Sequence, residues 1–342
     1  MNRQEGRVLP VLIHHESNAK PQTGGKKNQE YLKYCVNQAL KYNEKVVLIG
    51  DEANETWCPE WHHVKSLENE KLQHFYRVFK NLSYYPDRWA VSIYKRFFLF
   101  EEYLIRNGYE ECIVLDSDIL VYLDFATYKP LVQCDAAMET PENQSMEALE
   151  KKLGVPNDIR WASNVGLSYF TREALTNFLD YCIDLFENHI DVLMPKWEAH
   201  QQYNIYGGCG EMAVFYLWQL QWKKEHGDGS ILNLLAPDAD GYVFSGPISG
   251  EENNLRGECQ VSKLTKIKTI VYKDHIPHYV KKADGSLLPT YSLHFIGGDK
   301  VYMEGMYRNE RAALGAILNR HYWILRGRVG ALKRHLLHQE GN

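Results

Sequence analysis

The sequence lacks paired cysteine motifs, a signal-peptide pattern and any long apolar run. Seven cysteines are present among 342 residues, and no two of them are as close as C-x-x-C. An odd, scattered set of cysteines is typical of a reducing compartment rather than of a disulfide framework. No stretch of ~18 apolar residues occurs either, and the first residues show no charged-then-apolar leader. We therefore expect a cytoplasmic protein.

Internal repeats and low-complexity tracts are also absent, which argues against solenoid and fibrous architectures. The formal net charge is -5, and this acidic balance gives no reason to expect nucleic acid as the main partner. With 44% hydrophobic and 24% charged residues, the composition is that of an ordinary globular protein. The length is sufficient for one large α/β domain or for one domain with a long appendage.

The order of apolar runs predicts an α/β fold with a mostly parallel central sheet. Val8 to His15 and Lys45 to Ile49 are strand-like runs, and between them Tyr31, Cys35 and Ala39 fall on one face of a helix. A strand, helix, strand succession at this spacing is typical of a βαβ unit. The further segments that we predict are a helix from Ser92 to a stop at Gly108, a short strand at Asp135 to Met138, a strand at Val165 to Phe170 followed by a helix, a helix over Glu211 to Lys224, loops after Tyr242 and a strand at Ser292 to Ile296.

The most informative stretch is Glu111 to Tyr122, an apolar, β-rich run interrupted by Asp116-Ser117-Asp118. Burying two carboxylates within a core strand costs free energy unless a cation compensates for them. We therefore expect a strand that ends at a site and presents both carboxylates to one ion or ligand. Hard oxygen ligands suit Mg²⁺ or Mn²⁺, which commonly keep open positions for substrate phosphates. The alternative is an aspartate pair that caps a turn at the strand end.

A second candidate segment runs from His294 to Lys300 and reads His-Phe-Ile-Gly-Gly-Asp-Lys. A neutral imidazole can complete a carboxylate metal site, and Gly297 allows backbone N–H groups to approach a diphosphate. Lys300 adds a point charge for phosphate. Because a lone histidine after a strand is more often structural, the prediction depends on its conjunction with the glycines and the lysine.

Three further features could serve a substrate site. Asn164 and Gly166 offer an amide and an unhindered backbone that could bind hydroxyl groups of a polyol, or they form an ordinary turn. Glu211 follows a glycine-rich loop and opens a helix, where the helix dipole alone favours a carboxylate. Arg96, in the helix before the aspartates, is either a solvated charge or a phosphate contact.

Residues 308–342 differ in character from the rest of the chain, with seven Lys/Arg against two Glu and with leucines and aromatics between them. A basic amphipathic helix with interfacial aromatics indicates a membrane-surface or partner-binding element. The alternative is a terminal helix that packs on the domain and leaves its charges in solvent.

Taken in order, these residues resemble the nucleotide-sugar glycosyltransferases of the GT-A fold, particularly glycosyltransferase family eight and its relatives. That family has an arginine-bearing helix, a strand that ends in D-x-D, an N-x-G segment, an acidic residue that opens a helix and a late H-x-x-G-x-x-K. The resemblance covers about residues 8–302 and not the basic tail. The matching positions, in the same order, are Arg96, Asp116 and Asp118, Asn164 and Gly166, Glu211, and His294, Gly297 and Lys300.

The resemblance implies a single GT-A (Rossmann-like) domain over residues 1–307, with a nucleotide-binding half at about 1–125 and an acceptor half at about 126–307, before the helical tail. Asp116 and Asp118 would hold the nucleotide ribose and a Mn²⁺ or Mg²⁺ ion that bridges the diphosphate, with His294 as the third protein ligand. The remaining implied contacts are Arg96, Ser117, Gly297 and Lys300 on the donor, and Asn164 and Gly166 at the sugar or acceptor.

Two departures from the family pattern bear on mechanism. Val301-Tyr302 stands where the family has Pro-Trp after the lysine, so the local phosphate clamp differs. Glu211-Met212 stands where the family has Asp-Gln, and methionine cannot replace the amide of glutamine. The resemblance therefore does not predict that the transferred sugar keeps its anomeric configuration. Glu211 could instead deprotonate the acceptor hydroxyl as a general base, which would invert that configuration.

The sequence thus predicts a metal-dependent glycosyltransferase that moves a sugar from a nucleoside-diphosphate sugar, UDP-linked, to a hydroxyl acceptor such as a glycan, a glycolipid or a cell-surface polysaccharide precursor. The expected partners are this donor and acceptor, with peripheral contact to the inner membrane face through the basic tail and no nucleic acid. Two alternatives stay open: a degenerate domain that binds nucleotide or glycan without catalysis, and a sugar nucleotidyltransferase with Gly24 to Lys27 as its phosphate loop. The loops between Trp197 and Tyr206 and after Tyr242 would decide the sugar and the acceptor.

Overall fold

A computed structural model of the chain describes residues 7–17, 30–140, 161–203, 205, 207–244, 247–249, 259–308 and 322. These residues form two compact units. Unit 1 consists of the described residues of 1–117 and 123–237, and unit 2 consists of residues 118–122 and the described residues from 238 onward. The short segment 118–122 therefore belongs to unit 2, although the chain on both sides of it belongs to unit 1.

The described residues contain both strands and helices, which alternate only at the start of the chain. The strands are β1 (Val11–His15), β2 (Val46–Gly50), β3 (Trp61–His63), β4 (Glu111–Leu115), β5 (Ile119–Val121), β6 (Ala136–Glu139), β7 (Asn164–Thr171), β8 (Ile231–Asn233), β9 (Ile270–Lys273), β10 (Ile276–Val280), β11 (Leu287–Pro289) and β12 (Ser292–His294). The helices are α1 (Tyr31–Tyr42), α2 (Glu70–Val78), α3 (Asp87–Asn107), α4 (Arg172–Asn188), α5 (Met194–Gln202), α6 (Glu211–His226) and α7 (Met303–Tyr307).

Unit 1 is built on a seven-stranded sheet in the order β3-β2-β1-β4-β7-β6-β8. Parallel pairs join β1 to β2 and β4, β2 to β3, and β6 to β8. Only β7 is reversed, because it pairs antiparallel with both β4 and β6. The prediction of an α/β fold with a mostly parallel central sheet is confirmed. The central strands are continuous apolar runs with almost every residue buried, which suits a sheet covered on both faces.

The parallel strands bring several polar residues to one edge of this sheet. β1 ends at His15, and β4 ends at Leu115, directly before Asp116. The reversed strand β7 begins at the same edge with Asn164, and the Asp116 N–H donates to the carbonyl of Gly166 at 2.6 Å. In open α/β sheets, ligands bind outside the carboxyl ends of the strands. The aspartate motif thus follows β4 rather than lying within a strand, and β5 begins only after Asp118.

The long helix α3 begins at Asp87, and the predicted start at Ser92 was wrong. Pro86 precedes the helix and Asp87 places a carboxylate in its first turn, where the helix dipole favours a negative charge. Ser92 lies inside the helix and donates its hydroxyl back to the carbonyl of Trp89 at 2.9 Å. The predicted stop at Gly108 is confirmed, because this glycine adopts a left-handed conformation with φ 71°.

Aromatic packing fixes α3 against the sheet and its neighbouring helices. Phe97 and Phe98 are fully buried, and Phe97 contacts Phe215 of α6 edge-on at 4.9 Å between ring centroids. Phe215 in turn stacks on Phe178 of α4 at 3.6 Å. Buried aromatic rings contribute much of the free energy of a core. Arg96 directly precedes Phe97, so its backbone is held by this rigid part of α3.

Unit 2 contains an antiparallel pair of β5 with β12 and a separate three-stranded sheet in the order β11-β10-β9. The stretch from Tyr242 to Ser292 is rich in loops, as predicted, but it also contains the strands β9, β10 and β11, which were not predicted. The strand predicted at Ser292 is confirmed. β9 and β10 are joined by Asp274 and His275, which both have positive φ, 52° and 66°. Such turns normally carry Asn-Gly or Asp-Gly, and Asp-His gives no comparable signal in the sequence.

All seven cysteines are buried and none forms a disulfide. Burial raises the pKa of the Cys134 thiol to about 12 and that of Cys209 to about 11. Among the described residues, no helix is both long and apolar enough to cross a membrane. The predicted helical tail lies outside the described residues from residue 309 onward, except for Tyr322, and so does the candidate phosphate loop at Gly24 to Lys27.

Candidate active site

Asp116 and Arg96 form an ion pair at the carboxyl edge of the unit 1 sheet. Arg96 Nη1 donates to Asp116 Oδ1, and only 12% of the Arg96 side chain and 28% of the Asp116 side chain are exposed. The pair is therefore shielded from the solvent that weakens surface ion pairs. Arg96 holds the carboxylate in one place, and it is not a solvated helix charge.

Asn164 and Gly166 lie beside this carboxylate in unit 1. The Asn164 side chain donates to Glu139 Oε2 at 2.8 Å and accepts from the Gly166 N–H at 3.0 Å. A Cβ atom at Gly166 would lie 2.8 Å from Asp116 Oδ2 and 3.3 Å from Asn164 Oδ1. Because real Cβ atoms do not approach an oxygen so closely, glycine is required for the carboxylate to lie where it does.

Glu139 is a site residue that the sequence analysis missed. It ends β6 within a buried apolar strand and is only 4% exposed. A carboxylate at the end of an apolar run is the same signal that identifies Asp116, so it was available in the sequence. Its hydrogen bond fixes the orientation of the Asn164 amide, which leaves the Asn164 oxygen directed at the Gly166 backbone.

Glu211 occupies the first turn of α6, as predicted, and its carboxylate lies 3.9 Å from Arg96 Nη2. Burial raises the pKa of Glu211, Arg96 opposes this shift and the nearby Asp116 adds to it, so that the net direction is upward. Two carboxylates therefore share one guanidinium in unit 1. A carboxyl group with a raised pKa that is held next to a cation is the kind of group that acts as a general base.

His15 and Ser117 form a buried contact that supports the aspartate motif within unit 1. The imidazole Nδ1 of His15 lies 3.1 Å from Ser117 Oγ, and the two residues are 1% and 7% exposed. His15 also packs edge-on against the ring of Tyr31. Ser117 is thus held by a buried contact on the interior side of the Asp-Ser-Asp segment.

A second charged cluster surrounds the end of β1 and was not predicted. His14 Nε2 lies 3.1 Å from Glu16 Oε1, and Lys95 Nζ lies 3.3 Å from Glu16 and 3.1 Å from Glu68. Burial alone would raise the pKa of Glu16, but His14 and Lys95 bring it down to about 2. Glu16 is therefore a permanent anion at this edge of the sheet.

Asp118, His294 and Lys300 come together in unit 2. Lys300 Nζ lies 2.6 Å from Asp118 Oδ2, and His294 Nε2 lies 3.5 Å from Asp118 Oδ1. The antiparallel pairing of β12 with β5 places His294 opposite Ile119, and the Phe295 N–H donates to the Asp118 carbonyl at 2.9 Å. Burial would raise the pKa of Asp118, but Lys300 first and His294 second hold it well below its usual range.

Gly297 begins the short 3₁₀ helix Gly297–Tyr302 that carries Lys300. Its φ of 54° is in the left-handed region, which glycine adopts without strain. Among the residues that the structure describes, no atom outside its immediate neighbours lies within 4 Å of the position that a Cβ would occupy. The backbone at Gly297 is therefore open on one side, as an approach to phosphate requires.

The predicted site residues thus fall into two groups that the chain joins at the Ser117–Asp118 peptide bond. Carboxylate oxygens suit Mg²⁺ or Mn²⁺, and an imidazole nitrogen is a common metal ligand. The residues of unit 1 are Arg96, Asp116, Ser117, Asn164, Gly166 and Glu211, and those of unit 2 are Asp118, His294, Gly297 and Lys300; the three that offer metal-ligand atoms are Asp116, Asp118 and His294.

Comparison with known proteins gives structural likeness only. No protein-family model matches the chain, and no curated protein matches it. Mouse xyloside xylosyltransferase 1 is 12% identical over 66% of this chain and 85% of that one, with a TM-score of 0.39. The galactosyltransferase LgtC, solved in complex with donor and acceptor sugar analogs, is 10% identical over 91% of this chain and all (100%) of that one, with a TM-score of 0.39. The bifunctional glycosyltransferase WbbM is 10% identical over 89% of this chain and 52% of that one, with a TM-score of 0.38.

All three are named as glycosyltransferases, the class that the sequence motifs resemble. At identities and TM-scores this low, the likeness stands as an observation, and it does not single out family eight.

Proposed function

We propose that this chain is a metal-dependent glycosyltransferase that moves a sugar from a nucleoside-diphosphate sugar, UDP-linked, to a hydroxyl group of a glycan, a glycolipid or a polysaccharide precursor. The observation that carries the proposal is the buried Asp118 carboxylate with Lys300 at 2.6 Å and His294 at 3.5 Å. A carboxylate, an imidazole and an ammonium group in contact are suited to a metal–diphosphate ligand. Hydrophobic stabilisation gives no reason to hold Asp118 and His294 away from solvent beside the partly exposed Lys300.

Asp116, Asp118 and His294 would hold a Mn²⁺ or Mg²⁺ ion, because carboxylate oxygens suit these hard cations and the imidazole would complete the ligand set. When bound, such an ion acts as a Lewis acid that neutralises the charge developing on the leaving diphosphate. Lys300 and the open backbone at Gly297 supply a point charge and N–H donors for the same phosphates. Asp118 stays ionised through this work, since its pKa lies well below the usual range.

The residues of unit 1 would orient the sugar and move the proton. Arg96 fixes Asp116 on the donor side, while Asn164 and Gly166 line the sugar pocket. Glu211 accepts the proton of the acceptor hydroxyl as the oxygen forms a bond to the anomeric carbon and the bond from that carbon to the diphosphate breaks. Attack by an activated hydroxyl opposite the leaving group gives inversion.

The test measures turnover of UDP-sugars with and without Mn²⁺, and the measured quantity is the rate at which UDP is released. Asp118→Ala is expected to abolish metal-dependent turnover, because it removes a metal ligand and the partner of Lys300. Asp284→Ala, which removes an exposed aspartate of unit 2, serves as the matched control and is expected to keep full activity. Full activity in Asp118→Ala would contradict the proposal, and donor binding without any hydrolysis by the wild type would favour the degenerate binding domain.

We further propose that the basic tail makes the peripheral membrane contact expected from its composition. Its support is the excess of Lys/Arg over Glu in residues 308–342 and the interleaved aromatics. Sedimentation with vesicles that contain anionic lipid, compared between the full chain and a chain ending at residue 307, tests this directly. Equal binding of the two chains would exclude the tail as the contact.

A further inference from the structure

Tyr84 and Trp197 form an aromatic pair on the surface of unit 1. Their ring centroids are 5.1 Å apart at an angle of 54°. Tyr84 is 40% exposed, and Trp197 is half-buried. Large aromatic rings that remain in contact with solvent and with each other are typical of recognition surfaces, and Trp197 also packs against the core of unit 1.

Three indoles of unit 1 are fixed by a hydrogen bond, and that of Trp197 is not among them. Trp61, Trp218 and Trp222 each donate their N–H to a side-chain oxygen, at 3.1, 2.9 and 3.2 Å. Within the described part of the chain, the Trp197 N–H makes no hydrogen bond. Trp197 therefore combines a half-buried apolar ring with a hydrogen-bond donor that has no partner among the described residues.

The aromatic pair is built onto the loop that leads to Glu211. The Tyr84 N–H donates to the Gly207 carbonyl at 2.9 Å, which joins the segment before α3 to the segment before α6. A Cβ at Gly208 would lie 2.5 Å from the Leu82 carbonyl and 3.1 Å from Trp197 Cζ3. The indole thus packs directly against the backbone of Gly208, three residues before Glu211.

The chain itself limits how far apart these groups are. Consecutive Cα atoms are ~3.8 Å apart, so the Cα atoms of Gly208 and Glu211 are separated by at most ~11 Å. A sugar ring whose hydroxyl reaches Glu211 would therefore have its neighbouring ring within reach of the aromatic pair.

We propose that Tyr84 and Trp197 form a subsite for a pyranose ring of the acceptor, next to the ring that donates its hydroxyl proton to Glu211. This inference rests on the proposed function and narrows the acceptor to a carbohydrate of two or more sugar units. A pyranose has an apolar C–H face that stacks on an aromatic ring, and hydroxyl groups on its rim that accept from an indole N–H. The rings of Tyr84 and Trp197 would contact the apolar face of the pyranose, and the Trp197 N–H would donate to one of its hydroxyl groups.

The first experiment measures binding without catalysis. Saturation-transfer difference NMR with lactose, maltose and cellobiose as probes is applied to the wild type, Trp197→Ala, Trp197→Phe and the control Leu220→Ala, whose side chain is 51% exposed elsewhere in unit 1. Because Trp197→Ala removes the ring on which the sugar would stack, it is expected to weaken binding of the preferred disaccharide ~10-fold, which corresponds to ~1.4 kcal/mol. Trp197→Phe keeps a ring and loses the N–H, so its affinity is expected to lie between the two.

The second experiment separates the acceptor from the donor. In Trp197→Ala, kcat/KM for the disaccharide is expected to fall ~10-fold through KM, while hydrolysis of the nucleotide sugar in the absence of acceptor stays at the wild-type rate. Unchanged disaccharide affinity in both Trp197 variants would overturn the proposal, and so would absence of disaccharide binding by the wild type or an equal loss of donor hydrolysis. If no nucleotide sugar is turned over but Trp197→Ala still loses disaccharide binding, the proposed function fails and the carbohydrate subsite stands.

Discussion

Gly166→Ala tests whether the placement of Asp116 controls donor chemistry. The added methyl group would lie 2.8 Å from Asp116 Oδ2, whereas ordinary contacts of a Cβ begin at 3.4 Å. The carboxylate or the β7 backbone must therefore move by about half an ångström or more. The backbone cannot move freely, because the Gly166 carbonyl accepts from the Asp116 N–H and the Gly166 N–H donates to Asn164.

Overpacking of this kind costs ~1–3 kcal/mol of folding free energy. A displacement of ~1 Å in a positioned group can lower turnover ~100-fold, so we expect the activity to fall by between ~10-fold and ~100-fold. The loss should appear in kcat/KM for the nucleotide sugar, measured by UDP release in Mn²⁺, together with a lower midpoint of urea unfolding.

Gly229→Ala is the matched control, since no atom of the described residues lies within 4 Å of its added Cβ and its φ is not in the left-handed region. It should change neither activity nor stability by a comparable amount. Wild-type kcat/KM and an unchanged urea midpoint in Gly166→Ala would refute the view that Asp116 must lie where Arg96 and Gly166 hold it.

The other predictions concern three side chains of known surroundings. Lys300→Met should raise the donor KM, and it should make the free energy of unfolding less dependent on pH in the acid range. Lys300 depresses the pKa of Asp118, and a carboxylate with a depressed pKa stabilises the fold above its unfolded pKa. This contribution is lost as pH falls, and it is smaller without Lys300. Glu211→Gln should abolish transfer but increase stability to urea at neutral pH, because the raised pKa of Glu211 means that its ionised form is disfavoured in the folded protein. In the wild type, activity should rise as the pH passes through this raised pKa. Tyr94→Phe should increase the free energy of unfolding by ~1 kcal/mol, since the buried Tyr94 hydroxyl has no hydrogen-bond partner among the described residues; an unchanged or lower value would show that the hydroxyl is satisfied in solution.

The sequence predicted the central sheet because its evidence is local. Strands such as β1, β2 and β4 are unbroken apolar runs between turn residues, so periodicity identifies them without tertiary information. The reversal of β7 and the pairing of β5 with β12 could not be predicted in this way, since neither depends on a local pattern. The small sheet of unit 2 was missed because its Asp274-His275 turn lacks the usual residues.

The same distinction applies to the candidate site. Asp116, Asp118, His294 and Lys300 were identified from motif order, and each lies in a charged contact of its own unit. Lys95 was missed, although it is adjacent to Arg96, because its partners lie in segments that are distant along the chain. Contacts between segments that are distant along the chain depend on the tertiary structure, so local sequence patterns do not predict them.

The seven buried thiols divide unevenly between the units, with six in unit 1 and only Cys259 in unit 2. A buried thiol reacts with an alkylating reagent only when the surrounding structure opens. Peptide-resolved thiol exchange at increasing urea would therefore yield a separate opening free energy for each unit from the unmodified chain. The cysteines thus serve as built-in reporters of whether the two units unfold together or one before the other.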